Sequence, residues 1–107
     1  MEINVNNDYV ELFIDKIEDL MEQSDEEEYI QDEAGTYLKS SYLRDLILET
    51  RRLTKYGEYK IALENMLENL SEVSIPLDKV TIELAYRAFD RQISSYIEHL
   101  LSKLIKL

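Results

Sequence analysis

The stretch Gly57 to Pro76, G-E-Y-K-I-A-L-E-N-M-L-E-N-L-S-E-V-S-I-P, constrains this chain more than any other. It opens on a helix-stopping glycine and closes on the only proline of the sequence. Between them Tyr59, Ala62, Leu63, Met66, Leu67 and Leu70 recur at helical spacing, which puts them on one face. Each large apolar side chain, once fully buried, contributes roughly 1.5–3 kcal/mol, so the stripe offers a gross gain on the order of 10 kcal/mol. None of that gain is available without facing helices. With two glycines and one proline in 107 residues, the chain has too few turn-makers for an all-β domain. The reading is an all-α fold.

The same helical period runs on either side. Tyr9, Phe13, Ile14, Ile17, Leu20 and Met21 mark a first helix over about 8–22, with Asp8 and Glu11 as its D-x-x-E start. Ser24 and Glu27 repeat that start signal, so a second, weaker helix is expected through Tyr29, Ile30 and Ala34, interrupted at Gly35-Thr36. Leu38, Tyr42, Leu43, Leu46, Ile47 and Leu53 predict a helix over 37–56 whose last turns carry Arg51, Arg52 and Lys55. The short turn at Gly57 then makes an antiparallel helical hairpin with the helix over 58–72. Asp78 is placed to cap a last apolar run: Val80, Leu84, Ala85, Ala88, Phe89, Ile93, Tyr96, Ile97, Leu100, Leu101 and Leu104. A single helix of that length would span ~40 Å, so a bend, a projecting end or a break near Asp90–Ser95 is expected. The architecture is therefore a single-domain bundle of four or five helices over residues 1–107.

Charge is unevenly placed. Residues 1–33 hold 13 acids against one base, Lys16, a net of −12, while residues 34–107 hold 10 acids and 11 bases, a net of +1. A phosphate backbone demands a basic footprint, so direct nucleic-acid binding is disfavoured. The same asymmetry favours a basic protein partner, because a surface of one sign speeds encounter with the other. The alternative is an acidic face that serves solubility alone. Two groups stand out as partner contacts: Asp25, Glu26, Glu27 and Glu28 with Asp32 and Glu33, and the ladder Glu64, Glu68 and Glu72. Like charges four apart on a helix cost a few tenths of a kcal/mol, so the ladder is not there for helix stability. It is either a solvated face or a ridge for cationic side chains. Tyr29, Tyr37 and Tyr42 are candidate surface anchors, whereas Tyr59 belongs with the core.

Catalytic and metal chemistry find no motif. There is no cysteine, no Gly-rich phosphate loop, no EF-hand spacing and no G-x-S-x-G elbow. His99 is the only histidine, and position 96, three before it, is tyrosine, so the paired Glu-x-x-His units of a di-iron bundle are not present. The expectation is a non-enzyme with no cofactor and no metal. The acidic N-terminus lacks the basic start and apolar run of a signal peptide, and no apolar stretch reaches the ~18–20 residues of a membrane span. The expected location is cytoplasmic. The C-terminal L-L-S-K-L-I-K-L is a short basic amphipathic piece expected to dock on the bundle rather than on a membrane.

Gly57, Tyr59 and Ala62 match the G-x-Y-x-x-A opening of the second helix of a tetratricopeptide repeat, but Glu49 and Thr50 stand where that repeat has Leu and Gly, and there is one copy where a solenoid needs about three. The broader match is to small bacterial immunity proteins of the MafI type, in which G-E-x-x-x-A-L-E-x-L-x-x-N-L-x-E is followed shortly by I-P. Gly57, Glu58, Ala62, Leu63, Glu64, Met66, Asn69, Leu70, Glu72, Ile75 and Pro76 correspond, with Met66 in place of the usual leucine. About 20 of the 107 residues carry the resemblance. It implies an antitoxin-like protein that forms a tight complex with a cognate polymorphic or contact-delivered toxin domain, often a nuclease. No family motif assigns the contact residues. The competing expectation is a non-catalytic helical adaptor or self-assembling interaction protein, which a leftover apolar patch on the C-terminal half would favour.

Overall fold

A computed structural model describes residues 5–90 and 92–106. Glu2 of the acidic N-terminal third and Leu107 of the C-terminal motif lie outside them. The elements are α1 (Asn7–Glu22), β1 (Tyr29–Asp32), β2 (Gly35–Leu38), α2 (Lys39–Lys55), α3 (Tyr59–Glu72), α4 (Lys79–Phe89) and α5 (Ser95–Leu104). Helix α1 packs on α2 and α4, and α3 lies between α2 and α5. The architecture is mostly helical but not all-α, because a small antiparallel sheet joins α1 to α2.

That sheet replaces the helix expected from Ser24. The Ser24 hydroxyl donates 2.8 Å back to the Leu20 carbonyl, closing α1 rather than opening a new helix. Farther on, the Asp32 carboxylate accepts from the N–H groups of Ala34 (2.8 Å) and Gly35 (3.1 Å) and from the Tyr37 hydroxyl (3.1 Å). It thereby fastens a two-residue turn, Glu33-Ala34, between paired Asp32 and Gly35. Aspartate competes with helical hydrogen bonding in this way wherever its side chain can reach the next backbone donors. Across the strands Ile30 faces Tyr37, a β-branched and aromatic pair of the kind that stabilises a short ribbon. At the open end Lys39 N–H donates to Glu28 C=O at 2.8 Å, and the Lys39 ammonium meets the Glu28 carboxylate at 3.1 Å.

Elsewhere the helical period holds. Ala62, Leu63, Met66, Leu67 and Leu70 are all fully buried, with Phe13, Ile14, Ile17, Leu43, Ile97, Leu101 and Leu104 packed into the same core. Tyr59 is half-buried against it. The Asp78 carboxylate caps α4 as expected, accepting from Thr81 N–H at 2.8 Å. Helix α1 is capped by Asn6 rather than Asp8: the Asn6 side chain accepts from Tyr9 N–H at 3.2 Å, and Asp8 sits within the first turn. The last apolar run is broken between Phe89 and Ser95, the break being one of the three outcomes expected from its length. Val80 and Tyr96, counted in that run, face solvent.

The C-terminal piece docks on the bundle. Leu77 N–H donates to Leu104 C=O and Lys106 N–H donates to Leu77 C=O, both at 2.7 Å, while Leu100, Leu101 and Leu104 are buried. Among the described residues no helix is long and apolar enough to cross a membrane.

Candidate functional site

The β-turn, the end of α3 and the outer face of α5 enclose an open concavity of about 660 Å³. Asp32 and Glu33 come from the turn, Glu68 and Glu72 from α3, and Tyr96, His99 and Lys103 from α5. The structure thus joins members of both acidic groups singled out in the sequence. Four carboxylates face one permanent cation, Lys103, and among the described residues none of the four has a basic nitrogen within 4.0 Å. The summed field is legible on Tyr96. Desolvation raises its hydroxyl pKa first, and the negative charges of Glu68, Glu72 and Glu64 raise it further.

The remaining members are placed differently. Asp25, Glu26, Glu27 and Glu28 curl around a hollow of their own on the connection from α1 to β1. Glu28 is tied to Lys39, and Asp32 is tied into the turn, so both have structural duties as well as charge. Glu64 stands one helical turn before Glu68, half-buried and 4.0 Å from the Lys60 ammonium. Three α1 acids, Glu11, Asp15 and Glu18, gather around the Arg51 guanidinium of α2 at 3.6, 3.2 and 3.5 Å. Part of the N-terminal negative charge is therefore taken up within the fold.

Tyr96, His99 and Lys103 were missing from the sequence reading of the site. They repeat at helical spacing on the side of α5 opposite Ile97, Leu101 and Leu104, and that polar stripe was the available signal.

On the other side of the hairpin a second cavity of about 420 Å³ opens between β2, α2 and α3. Its walls include Tyr37, Leu38, Tyr42 and Leu46, with Asp45, Asn65 and Asn69 at its polar edge. The Tyr37 and Tyr42 rings meet at 5.3 Å with a 47° tilt, and the Tyr42 hydroxyl lies 3.3 Å from both the backbone and side-chain oxygens of Asn69.

Among the described residues no group of three or more His, Asp or Glu side chains could hold a metal ion. What the first arrangement can do chemically is accept cationic donors. No protein-family model, no curated protein and no solved structure matches this chain.

Proposed function

We propose that this chain is an immunity-type protein that binds and neutralises a cognate toxin domain through its acidic surface. The toxin presents a basic face, and a nuclease fits that requirement because its phosphate substrate demands one. Occupying that face blocks substrate, and opposite charge speeds capture. The observation that carries the reading is the concavity in which Asp32, Glu33, Glu68 and Glu72 converge with Lys103 as the one permanent cation among its described lining residues. The −12 against +1 division of charge and the resemblance over Gly57–Pro76 support it.

The test is the association rate with a candidate toxin domain encoded beside this gene. Replacing Asp25, Glu26 and Glu27 with Ser together with Glu68→Gln slows association at least about tenfold at low salt, with the difference closing as salt screens the surfaces. An unchanged rate, with cells still protected, removes this surface from the mechanism.

The adaptor reading draws on another feature. Leu48, Tyr56 and Ile61 on the α2–α3 hairpin are 62%, 72% and 54% exposed. A concentration-independent homodimer in light scattering, dissolved by Leu48→Glu, would favour self-assembly over toxin capture.

A further inference from the structure

The groove between β2, α2 and α3 and the acidic concavity are two sides of one wall. Tyr37 lines the groove with its ring, while its hydroxyl donates at 3.1 Å to Asp32 on the concavity. Asn69 lines the groove, and Glu68, its neighbour on α3, lines the concavity. An apolar hollow bordered by charge is the arrangement found where a protein partner inserts an anchor side chain. The charge bordering this one is negative. Asp45 and Glu49 are the charged lining residues; Glu49 is held bidentate by Arg52 at 2.7 and 3.0 Å, whereas Asp45 has no ion pair among the described residues. The tyrosines register the same sign. The hydrogen bond to Asp32 raises the Tyr37 pKa, with Glu72 adding to it; desolvation raises that of Tyr42, followed by the charges of Glu72 and Asp32.

We propose that this groove receives an aromatic or large aliphatic side chain of a protein partner, and that a lysine or arginine adjacent to it in the partner's sequence pairs with Asp45. The assignment rests on the reading of the chain as a captor of basic proteins and names the anchor such a partner must carry. A cavity of about 420 Å³ accommodates one large side chain and part of its neighbour. The tilted Tyr37–Tyr42 pair offers ring faces and edges to an aromatic anchor, and Tyr37 offers one to the neighbouring cation. Acidic anchors are disfavoured by Asp45 and by the Asp32 and Glu72 charges beyond the wall.

The experiment is a nitrogen-15 amide NMR titration of the intact chain with four probes: acetylated and amidated Gly-Trp-Arg-Gly, Gly-Trp-Glu-Gly and Gly-Gly-Arg-Gly peptides, and free tryptamine. The Trp-Arg peptide shifts Tyr37, Tyr42, Asp45 and Asn69 in a saturable way. It binds about fivefold tighter than the Trp-Glu peptide, the upper value for an exposed ion pair, and tighter than the Gly-Arg peptide, which keeps the cation but lacks the anchor. Asp45→Asn brings the Trp-Arg and Trp-Glu peptides to within about twofold of each other, and Ser41→Trp, which fills the groove, abolishes both. If Ser41→Trp fails to fold, the Asp45→Asn comparison decides. No saturable shift at those four residues, equal binding of the Trp-Glu peptide, or equal binding of the Gly-Arg peptide overturns the proposal. Tighter binding of tryptamine than of the peptide assigns the groove to a free cationic amphiphile and also overturns it. A pentalysine titration keeps the two readings apart. Pentalysine carries no anchor, so shifts at Asp25–Glu27 and Glu33 with a silent groove support the acidic-surface reading and agree with the anchor site. Saturable groove shifts by pentalysine overturn the anchor site, whereas silence at those acids refutes the acidic-surface reading, so the two fail on different observations.

Discussion

Ser74 occupies at the end of α3 the position that Gly57 occupies at the end of α2. In each case the residue lies two beyond the last helical one and takes a positive φ, 79° for Gly57 and 54° for Ser74. The hydrogen bonds correspond as well. Gly57 N–H donates to Thr54 C=O at 2.9 Å and Glu58 N–H to Leu53 C=O at 2.9 Å; Ser74 N–H donates to Ser71 C=O and Ile75 N–H to Leu70 C=O, both at 3.1 Å. This is the Schellman ending of a helix, used twice. It turns the chain out of α2 into α3, and out of α3 toward Pro76.

A non-glycine residue in this left-handed conformation costs about 1–2 kcal/mol, against about 0.5–1 kcal/mol of extra unfolded-chain entropy for glycine. Ser74→Gly therefore stabilises the protein by roughly 0.5–1 kcal/mol in chemical denaturation. Gly57→Ala destabilises it by about 1 kcal/mol. No atom lies within 4 Å of where the new Cβ would stand, so that cost is backbone strain and not a clash. Equal effects of opposite sign at the two sites are the expected pattern; a stabilising Gly57→Ala would contradict it.

The pair also shows why some of the fold was legible in the sequence and some was not. Gly57 announced its turn because glycine is the residue that turn favours, whereas Ser74 makes the same turn without the signal. Asp90 is another non-glycine residue with positive φ, but in a different turn: φ 57° and ψ −126° at the break between α4 and α5, where Gln92 N–H donates to Phe89 C=O at 3.1 Å. That the run needed a bend, a break or a projecting end was readable from length, but not which of these it takes or by what chemistry. The hairpin was missed for another reason. Ser24-x-x-Glu27 reads as a helix start, and only the reach of the Asp32 carboxylate to Ala34 and Gly35 decides for a turn. For the site, charge pattern picked out Asp32, Glu33, Glu68 and Glu72, but their meeting depends on where the hairpin lies against α3, and the rest of the site on α5 packing against α3. That packing is tertiary, so Tyr96, His99 and Lys103 joined the site only once the fold was known.

Arg51 supplies the next prediction. Its guanidinium lies within 3.2–3.6 Å of Glu11, Asp15 and Glu18, which line one face of α1. Arg51→Met keeps most of the apolar stem and leaves three like charges together. The pairs are solvent-accessible, so each contributes little alone, and the network is expected to be worth about 1 kcal/mol at low ionic strength. The loss should fade in roughly 1 M salt, where the screening length is ~3 Å. A salt-independent loss would mean that the stem's packing, not its charge, holds α1 to α2.

Asp78 makes stability depend on pH in a defined direction. Hydrogen bonds from the backbone and side chain of Thr81 hold its pKa below the ordinary carboxylate value of 3.8, outweighing desolvation, and the Lys16 and Lys106 charges lower it further. A depressed carboxylate contributes stability that is complete above its unfolded pKa and is lost as pH falls through the folded one. Asp78→Ala should therefore cost about 1 kcal/mol at neutral pH, the usual value of an N-cap. That difference from the native chain should narrow below pH 3.8 as the native carboxylate protonates. Thermal unfolding of both proteins across this range gives the answer. A penalty that stays constant to the lowest pH would assign the cap to oxygen geometry and not to charge.

Asp32 and Glu33 are adjacent acids with separable duties. Asp32 accepts three hydrogen bonds that shape the turn, while Glu33 is exposed at its tip. Asp32→Ala leaves the Ala34 and Gly35 donors without that acceptor, a local cost of roughly 1–3 kcal/mol if water does not replace it. Amide exchange should then accelerate across Tyr29–Leu38 while the core amides of α3 keep their protection, since the hairpin is the smaller unit. Asp32→Asn retains an acceptor oxygen and should spare the hairpin while removing one charge. Glu33→Gln should leave exchange untouched. In a binding assay the last two variants isolate charge, whereas Asp32→Ala mixes charge with shape. Slower association in all three, with accelerated exchange only in Asp32→Ala, is what a charge-guided encounter at this turn requires. Slower association in Asp32→Ala alone would instead make the hairpin's shape the determinant.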